Sequence, residues 1–180
     1  TAAAHAASRY HEQLGSPVES LRASMAVSTR TEASGGNAFS IVRFLVPTGE
    51  MPIDERFRAI QETVDAARSS DRQAGLDTLA AVAATLPTSL LTRLARQQSQ
   101  TIDFATSNVK GAPKEVYLAG AQLLEIYPVG PLAGVAFNLT LMSYLGSLDM
   151  ALNIDTAAVA EPKLLRTSLE DAFDEFIELG

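Results

Sequence analysis

The feature that most constrains this fold is a hairpin pattern between residues 137 and 154. The segments 137–144 and 148–154 are apolar and of strand length, and Gly146-Ser147 lies between them. Glycine supplies the backbone freedom that a two-residue hairpin turn requires. We therefore predict two antiparallel strands joined by the turn Gly146-Ser147.

Helical and strand patterns are mixed along the rest of the chain. Apolar residues at helical spacing predict helices over 1–14, 52–67, 73–85, 90–95 and 161–179. Apolar runs of strand length predict strands over 21–27, 38–46, 102–109, 116–119 and 122–127, and a polar loop is predicted over 28–37. This mixture indicates one domain of the α/β (α+β layered) class, in which helices pack on a mixed β-sheet.

Two of the predicted helices have a clear apolar stripe. In the helix over 52–67 the stripe consists of Phe57, Ile60, Val64 and Ala67. In the helix over 161–179 it consists of Leu165, Leu169, Ala172, Phe173 and Phe176, and the solvated face carries Glu170, Asp171, Asp174, Glu175 and Glu178. Both helices are therefore expected to pack on the sheet through one side.

Composition excludes several classes of function. Of 180 residues, 47% are hydrophobic and 19% are charged, which is typical of globular domains. The net charge is −7 and Lys and Arg form no cluster, so nucleic acid is not an expected partner. No cysteine is present, which excludes disulfides and thiolate chemistry. No apolar run reaches the roughly 18 residues that a membrane span needs.

The sequence also lacks the common catalytic motifs. The only histidines, His5 and His11, are six residues apart in the first predicted helix and do not share a face well. We expect no metal site and assign both to structural or surface roles. Neither a Gly-x-Ser-x-Gly nucleophile motif nor a glycine-rich nucleotide loop occurs.

Residues 106–149 are the part of the chain that points to a function. The loop 108–113 follows a predicted strand and contains Gly111, and free backbone amides in this loop would suit a phosphate or a pantetheine amide; a plain β-connection is the alternative. Strand alternation places Asn138, Thr140, Met142 and Tyr144 on one face of the strand 137–144. That face would line a tunnel or contact another domain, or else consist of buried polar groups with satisfied hydrogen bonds.

These residues resemble the C-terminal domain of the bacterial wax ester synthase/diacylglycerol acyltransferase family. The resemblance covers nearly the whole chain and rests on short motifs in a fixed order. They are Ser107-Asn108-Val109 followed by Gly111 and Pro113, Tyr127-Pro128-Val129-Gly130-Pro131, Asn138, and Ser143-Tyr144 with Gly146 and Asp149. Weaker agreement occurs at Ala26-Val27-Ser28-Thr29-Arg30 and Gly36-Asn37.

The resemblance implies half of a two-domain enzyme of the chloramphenicol-acetyltransferase type. Residues 1–180 would form the C-terminal acyltransferase domain, and an N-terminal catalytic domain would lie upstream. The general base in this family is a histidine of a His-His-x-x-x-Asp-Gly motif on that other domain, and neither His5 nor His11 matches it. No catalytic residue is therefore expected in this chain, except that the Ser107 hydroxyl would help to stabilise the oxyanion.

The resemblance also implies substrates and partners. A long-chain acyl group would move from acyl-CoA, a substrate and not a cofactor, to diacylglycerol or a long-chain alcohol. The residues expected to bind substrate or coenzyme A, or to form the tunnel wall and interdomain contact, are Ser107, Asn108, Gly111, Pro128, Gly130, Pro131, Asn138, Ser143 and Tyr144. The expected location is cytoplasmic, with peripheral attachment at the inner membrane or at lipid inclusions.

Two other functions fit the same patterns. One is a non-catalytic partner or lipid-binding module. The other is half of a condensation-type domain, in which a carrier protein replaces coenzyme A. The Tyr127–Pro131 and Ser143–Gly146 motifs favour the acyl-CoA acyltransferase over the condensation domain.

Overall fold

The computed structural model describes residues 1–28, 39–73 and 102–179. The helices are α1 (Ala2–Gln13), α2 (Ile53–Gln73) and α3 (Pro162–Leu179). The strands are β1 (Ser20–Ser28), β2 (Phe39–Pro47), β3 (Phe104–Lys110), β4 (Tyr117–Leu118), β5 (Ala121–Gln122), β6 (Phe137–Tyr144) and β7 (Ser147–Ile154). Three predicted elements lie outside the described residues except for one terminal residue in two of them. They are the helix over 73–85, of which only Gln73 is described, the helix over 90–95, and the loop over 28–37, of which only Ser28 is described.

Five strands form one mixed sheet in the order β2-β1-β3-β6-β7. The central strands β1, β3 and β6 are parallel, and the edge strands β2 and β7 are antiparallel to their neighbours. The strands β4 and β5 form a separate small hairpin. The predicted mixed sheet with packed helices is thus confirmed.

The main hairpin has its turn one residue earlier than predicted. Tyr144 pairs with Ser147, so the two loop residues are Leu145 and Gly146, and not Gly146-Ser147. Both have positive φ, 48° and 87°. A turn with positive φ matches the twist of the two strands and favours glycine in the loop. The glycine in the sequence therefore predicts the turn but does not fix which of the two loop positions it takes.

The predicted strand over 122–127 is wrong over most of its length. Strand β5 ends at Gln122, and no described strand includes residues 123–127. The backbone of this segment bonds to side chains of the main sheet instead: Leu123 accepts a hydrogen bond from the Tyr144 hydroxyl, and Ile126 donates one to Asp149. These side-chain partners replace the strand partners that a β-strand would need.

The hydrophobic core lies between one face of the sheet and the helices. Helix α1 contributes Ala2, Ala3, Ala4 and Ala6, whose small side chains allow close packing, and the sheet contributes Ala23, Val46, Phe104, Phe137 and Leu139. The predicted stripe of α3 is confirmed, because Leu165, Leu169 and Ala172 are buried and Phe173 and Phe176 pack against them. In α2, Ile60 is buried as predicted, whereas Phe57 is 47% exposed.

A buried arginine joins α2 to its surroundings. Arg56 is 1% exposed and donates hydrogen bonds to the carbonyl oxygens of Pro47 and Gly49 and to the Ser8 hydroxyl. Burial lowers the pKa of Arg56. The carbonyl groups at the end of β2 accept hydrogen bonds from the Arg56 guanidinium, and these bonds offset the cost of burying its charge.

A second polar cluster connects α1 with α3. The Nε2 atom of His5 lies 3.0 Å from Glu175 Oε2, and Arg9 also pairs with Glu175. Burial lowers the pKa of His5, the charges of Arg9 and Arg56 lower it further, and Glu175 opposes the shift without cancelling it. The pKa of the His5 imidazole in the folded protein therefore lies below its ordinary value.

We expect the free energy of unfolding to fall as the pH drops below the ordinary pKa of histidine, about 6.5. The lowered pKa in the folded state means that the unfolded chain binds more protons below that pH, so stability is full above it and is lost with acidification. In His5→Gln, which has no such titration, the decrease in unfolding free energy between about pH 7.5 and about pH 5.5 should be smaller.

Urea unfolding of the wild type, of His5→Gln and of the control His11→Gln at the two pH values measures this difference. The His11→Gln variant should keep the wild-type decrease. Equal decreases in all three proteins would show that His5 is not the group responsible.

Candidate functional site

The face of the sheet opposite the helices carries the polar side chains of the candidate site; we call it the open face. Phe104, Phe137 and Leu139 point into the core between sheet and helices. Because successive side chains alternate along a strand, their neighbours Ala105, Ser107, Asn138, Thr140 and Tyr144 lie on the open face. In register, Ala105 is opposite Asn138 and Ser107 is opposite Thr140.

The segment 111–136, which we call the strap, is hydrogen-bonded to the open face of β6 and β7. The Tyr144 hydroxyl donates to the carbonyl oxygen of Leu123 at 2.8 Å and accepts the amide of Val116 at 3.2 Å. Asp149 Oδ2 accepts the amide of Ile126 at 3.1 Å. Tyr144 is 1% exposed, so its hydroxyl satisfies two backbone groups in the protein interior.

A second set of contacts holds the strap near Gly130. Asn138 donates to the carbonyl oxygen of Pro131 at 2.8 Å, and Asn153 donates to that of Gly130. The Thr140 hydroxyl donates to Asn138 Oδ1 at 2.9 Å, which fixes the orientation of the amide. Asn138 and Thr140 are each 6% exposed, and the hydrogen bonds just described satisfy their polar groups within the protein.

Two glycines allow the strap to approach the sheet closely. A Cβ atom at Gly130 would overlap Thr140 Oγ1 and lie 2.7 Å from Asn138 Oδ1. A Cβ atom at Gly111 would overlap the carbonyl oxygen of Ser143, whose hydroxyl accepts the Gly111 amide at 3.3 Å. At these positions the backbone itself packs against the sheet, and a larger residue would displace it.

Ser107 differs from Asn138, Thr140 and Tyr144 on the open face. It is half-buried, and its hydroxyl has no hydrogen-bond partner among residues 1–28, 39–73 and 102–179. Thr140 is its partner in register on the adjacent strand, and the Thr140 hydroxyl donates a hydrogen bond to Asn138 Oδ1. Ser107 is therefore a polar group of this face that is free to donate a hydrogen bond to a ligand.

Six of the nine sequence-predicted site residues contribute to the contact between strap and sheet, and Ser107, Asn108 and Pro128 do not. Gly111, Gly130, Pro131, Asn138, Ser143 and Tyr144 hold the strap against the sheet. Asn138 and Tyr144 are thus buried polar groups with satisfied hydrogen bonds, one of the two interpretations of that strand face. Pro128 is buried in the strap, and Asn108 is exposed at the end of β3.

Asp149 and Asn153 also hold the strap, Thr140 orients the Asn138 amide that does so, and all three were absent from the predicted site residues. Thr140 was placed on the correct face by strand alternation, and Asp149 belonged to a motif. Asn153 lies opposite Asn138 in the observed register, whereas the predicted turn Gly146-Ser147 pairs Asn138 with Asp155 and therefore misses it.

The outer surface of the strap is apolar and exposed. Five large side chains are between 57% and 82% exposed: Tyr117, Leu118, Leu124, Tyr127 and Val129. The two tyrosine hydroxyls donate to carboxylates two residues earlier, Glu115 and Glu125, and these hydrogen bonds raise the pKa of each phenol. A concentration of exposed apolar side chains such as this one is typical of a protein interface.

A membrane-spanning helix was not found within the described residues: none of those helices is both long and apolar enough to cross a bilayer.

Comparison with known proteins identifies relatives over most of the chain. The Mycobacterium tuberculosis (strain H37Rv) protein Rv2484c, named for diacylglycerol O-acyltransferase activity, is 34% identical over 174 residues, covering 96% of this chain and 35% of the relative. The protein tgs1 of the same strain, also named for this activity, is 26% identical and is matched over 37% of its length. The chain thus spans about a third of these relatives.

A solved structure has the same fold. The wax ester synthase/diacylglycerol acyltransferase from Marinobacter aquaeolei VT8 superposes with a TM-score of 0.70 at 21% identity, over 97% of this chain and 41% of that one. Residues 35–176 match the family model described as the WS/DGAT C-terminal domain. That match includes β2, β3, the strap and the main hairpin, and with it the chain belongs to the wax ester synthase/diacylglycerol acyltransferase C-terminal domain family.

Proposed function

We propose that this chain is the C-terminal half of an O-acyltransferase that moves a long-chain acyl group from acyl-CoA to diacylglycerol or a long-chain alcohol. Family membership and the names of the relatives support the reaction class. The observation that carries the proposal in the structure is the open face: Asn138 and Tyr144 bond to the strap, Thr140 bonds to Asn138, and the Ser107 hydroxyl is left without a partner among the described residues.

The two histidines of this chain are placed on the wrong side of the sheet to act with Ser107. His5 bonds to Glu175 of α3, and His11 lies beside Phe104 and Phe137 of the core face. This placement supports our proposal that the general base comes from an N-terminal domain of the same enzyme with a His-His-x-x-x-Asp-Gly motif.

In this reaction the base takes the proton from the acceptor hydroxyl, and the oxygen attacks the thioester carbonyl. The negative charge that develops on the carbonyl oxygen needs a hydrogen-bond donor that is already in position. The free Ser107 hydroxyl is proposed to be such a donor. Acyl-CoA acts as a substrate here, and the lipid acceptors suit an enzyme that works in the cytoplasm at the surface of the inner membrane or of lipid inclusions.

The exposed outer surface of the strap is the proposed contact with the N-terminal domain. Its leucine, valine and tyrosine side chains are apolar, and the β4–β5 hairpin adds strand edges that a second domain can pair with. The fold of the Marinobacter enzyme matches this chain over 41% of its length, which leaves room for a second domain in a protein of that size.

Replacement of Ser107 should impair the chemical step. Removing one oxyanion donor typically lowers kcat by roughly 10²- to 10³-fold. We expect a loss of this order in Ser107→Ala of the full enzyme, with KM for acyl-CoA little changed. The control is Thr106→Val, which alters the neighbouring residue on the core side of β3. Steady-state kinetics with palmitoyl-CoA that leave kcat of Ser107→Ala at the wild-type value would exclude Ser107 from catalysis.

Replacement of Gly130 should displace the strap. In Gly130→Ala the new methyl group overlaps Thr140 Oγ1, and overpacking of this kind costs about 1–3 kcal/mol. Denaturant unfolding should show this loss. The double variant Gly130→Ala/Thr140→Ala removes the overlapping atom, so its loss should be smaller than the sum of the two single losses. Strict additivity would mean that the close approach of strap and sheet is not the cause.

A charge on the strap surface should weaken the contact between domains. Leu124 and Ile177 are 76% and 75% exposed, but only Leu124 lies on the strap. In the full enzyme we expect Leu124→Lys to lower kcat/KM by about tenfold, the effect of losing one significant interface side chain. The matched variant Ile177→Lys should keep wild-type kcat/KM. Equal activity of both variants would place the interface elsewhere.

A further inference from the structure

A second serine on the open face also has an unpartnered hydroxyl. Ser24 of β1 follows Ala23, which points into the core, so the Ser24 side chain lies on the open face with Ser107. Ser24 is only 6% exposed, and its hydroxyl has no hydrogen-bond partner in the part of the chain that the structure describes. Because buried polar groups are nearly always hydrogen-bonded, this hydroxyl is a candidate for contact with a ligand.

The Ser24 oxygen is accessible to a ligand. Within the described residues, the buried side-chain atoms that are both unpartnered and fully enclosed belong to His5, Arg56 and Ser168. The Ser24 oxygen is not among them, so it is unpartnered without being enclosed. It can therefore donate a hydrogen bond to a molecule that lies on the open face.

Ser24 and Ser107 belong to a patch of small side chains on β1 and β3, which we call the floor and which consists of Ser24, Ala26, Ala105 and Ser107. Ser24 pairs in register with Ala105, and Ala26 pairs with Ser107. The two serines are therefore diagonal neighbours, roughly 8 Å apart in standard sheet geometry. Larger side chains flank the floor on the two adjacent strands: Ile41 and Arg43 on β2, and Asn138 and Thr140 on β6.

Two hydroxyls at this separation fit a ligand with two oxygen acceptors. In the proposed reaction Ser107 donates to the thioester carbonyl oxygen, so Ser24 is left for a second oxygen of one of the substrates. Ser24 lies on the side of Ser107 away from Asn108, which is exposed at the end of β3 and is a predicted contact for substrate or coenzyme A. We place coenzyme A at the Asn108 end, which leaves the acceptor lipid beside Ser24.

From this geometry we infer that the Ser24 hydroxyl binds an ester carbonyl of the acceptor and so makes the site selective for diacylglycerol. The inference rests on the proposed acyl transfer, because it gives a further residue of the same site a role in choosing the acceptor. A diacylglycerol has an ester carbonyl oxygen only a few covalent bonds from the hydroxyl that reacts, whereas a long-chain alcohol has none. A hydrogen bond to this oxygen holds the acceptor hydroxyl close to the thioester carbonyl.

The test compares two acceptors that differ in the ester carbonyl groups, dipalmitoylglycerol and its diether analogue dihexadecylglycerol. In the full enzyme with palmitoyl-CoA we expect the wild type to prefer the diester by about fivefold in kcat/KM, the effect of one hydrogen bond between neutral groups. In Ser24→Ala this preference should disappear, because kcat/KM for the diester falls to the diether value while the diether value stays unchanged.

Two other variants separate this role from catalysis and from folding. Ser20→Ala removes an exposed hydroxyl from the same face of β1 and should keep the diester preference. Ser107→Ala should lower kcat with both lipids and also keep the preference. Ser24→Ala breaks no hydrogen bond within the described residues, so its urea unfolding should match that of the wild type.

A wild type without a diester preference, or a preference that persists in Ser24→Ala, would overturn the inference. An equal loss with both lipids in Ser24→Ala would also overturn it, because Ser24 would then act on acyl-CoA or on the oxyanion. If the wild type acylates 1-hexadecanol but neither glycerolipid, the ester contact is wrong and the proposed acyl transfer stands. If it acylates no acceptor, the proposed function itself fails.

Discussion

The site depends on one set of hydrogen bonds, those between the polar side chains of the β6–β7 hairpin and the backbone of the strap. A strap without regular structure over 123–132 has many amides and carbonyls that need partners. Tyr144, Asn138, Asn153 and Asp149 supply several of them from within the sheet. Since these side chains stand on a rigid hairpin, the strap is held in a defined position over the open face.

This arrangement gives the two faces of the sheet different roles. The core face carries the helices and both histidines, whereas the open face carries the strap and the free hydroxyl of Ser107. A sheet with one face packed by helices can leave its other face for a ligand or a second domain. The exposed Leu124, Tyr127 and Val129 add an apolar surface that is unfavourable in water.

Periodicity predicted the elements that obey a simple pattern. The α3 stripe was correct because Leu165, Leu169 and Ala172 follow helical spacing, and the hairpin was correct because both strands are apolar and flank a glycine. The turn was misplaced because Gly146 fits either loop position. The strand over 122–127 was wrong because its apolar residues, Leu124 and Tyr127 among them, face outward on a strap that the sheet side chains hold.

The site was only partly predictable, because its polar residues form pairs that are distant in sequence. Motif positions identified Asn138 and Gly130. They did not show that Thr140 and Asn138 leave no space for a Cβ atom at Gly130, because this depends on the folded geometry. Likewise Ser107 and Thr140 are hydroxyl residues that pair in register. The Thr140 hydroxyl bonds to the Asn138 amide, whereas the Ser107 hydroxyl does not, and the sequence does not distinguish the two. The strap and the Asn138 amide therefore satisfy the polar side chains of β6 and leave the Ser107 hydroxyl of β3 without a partner among the described residues.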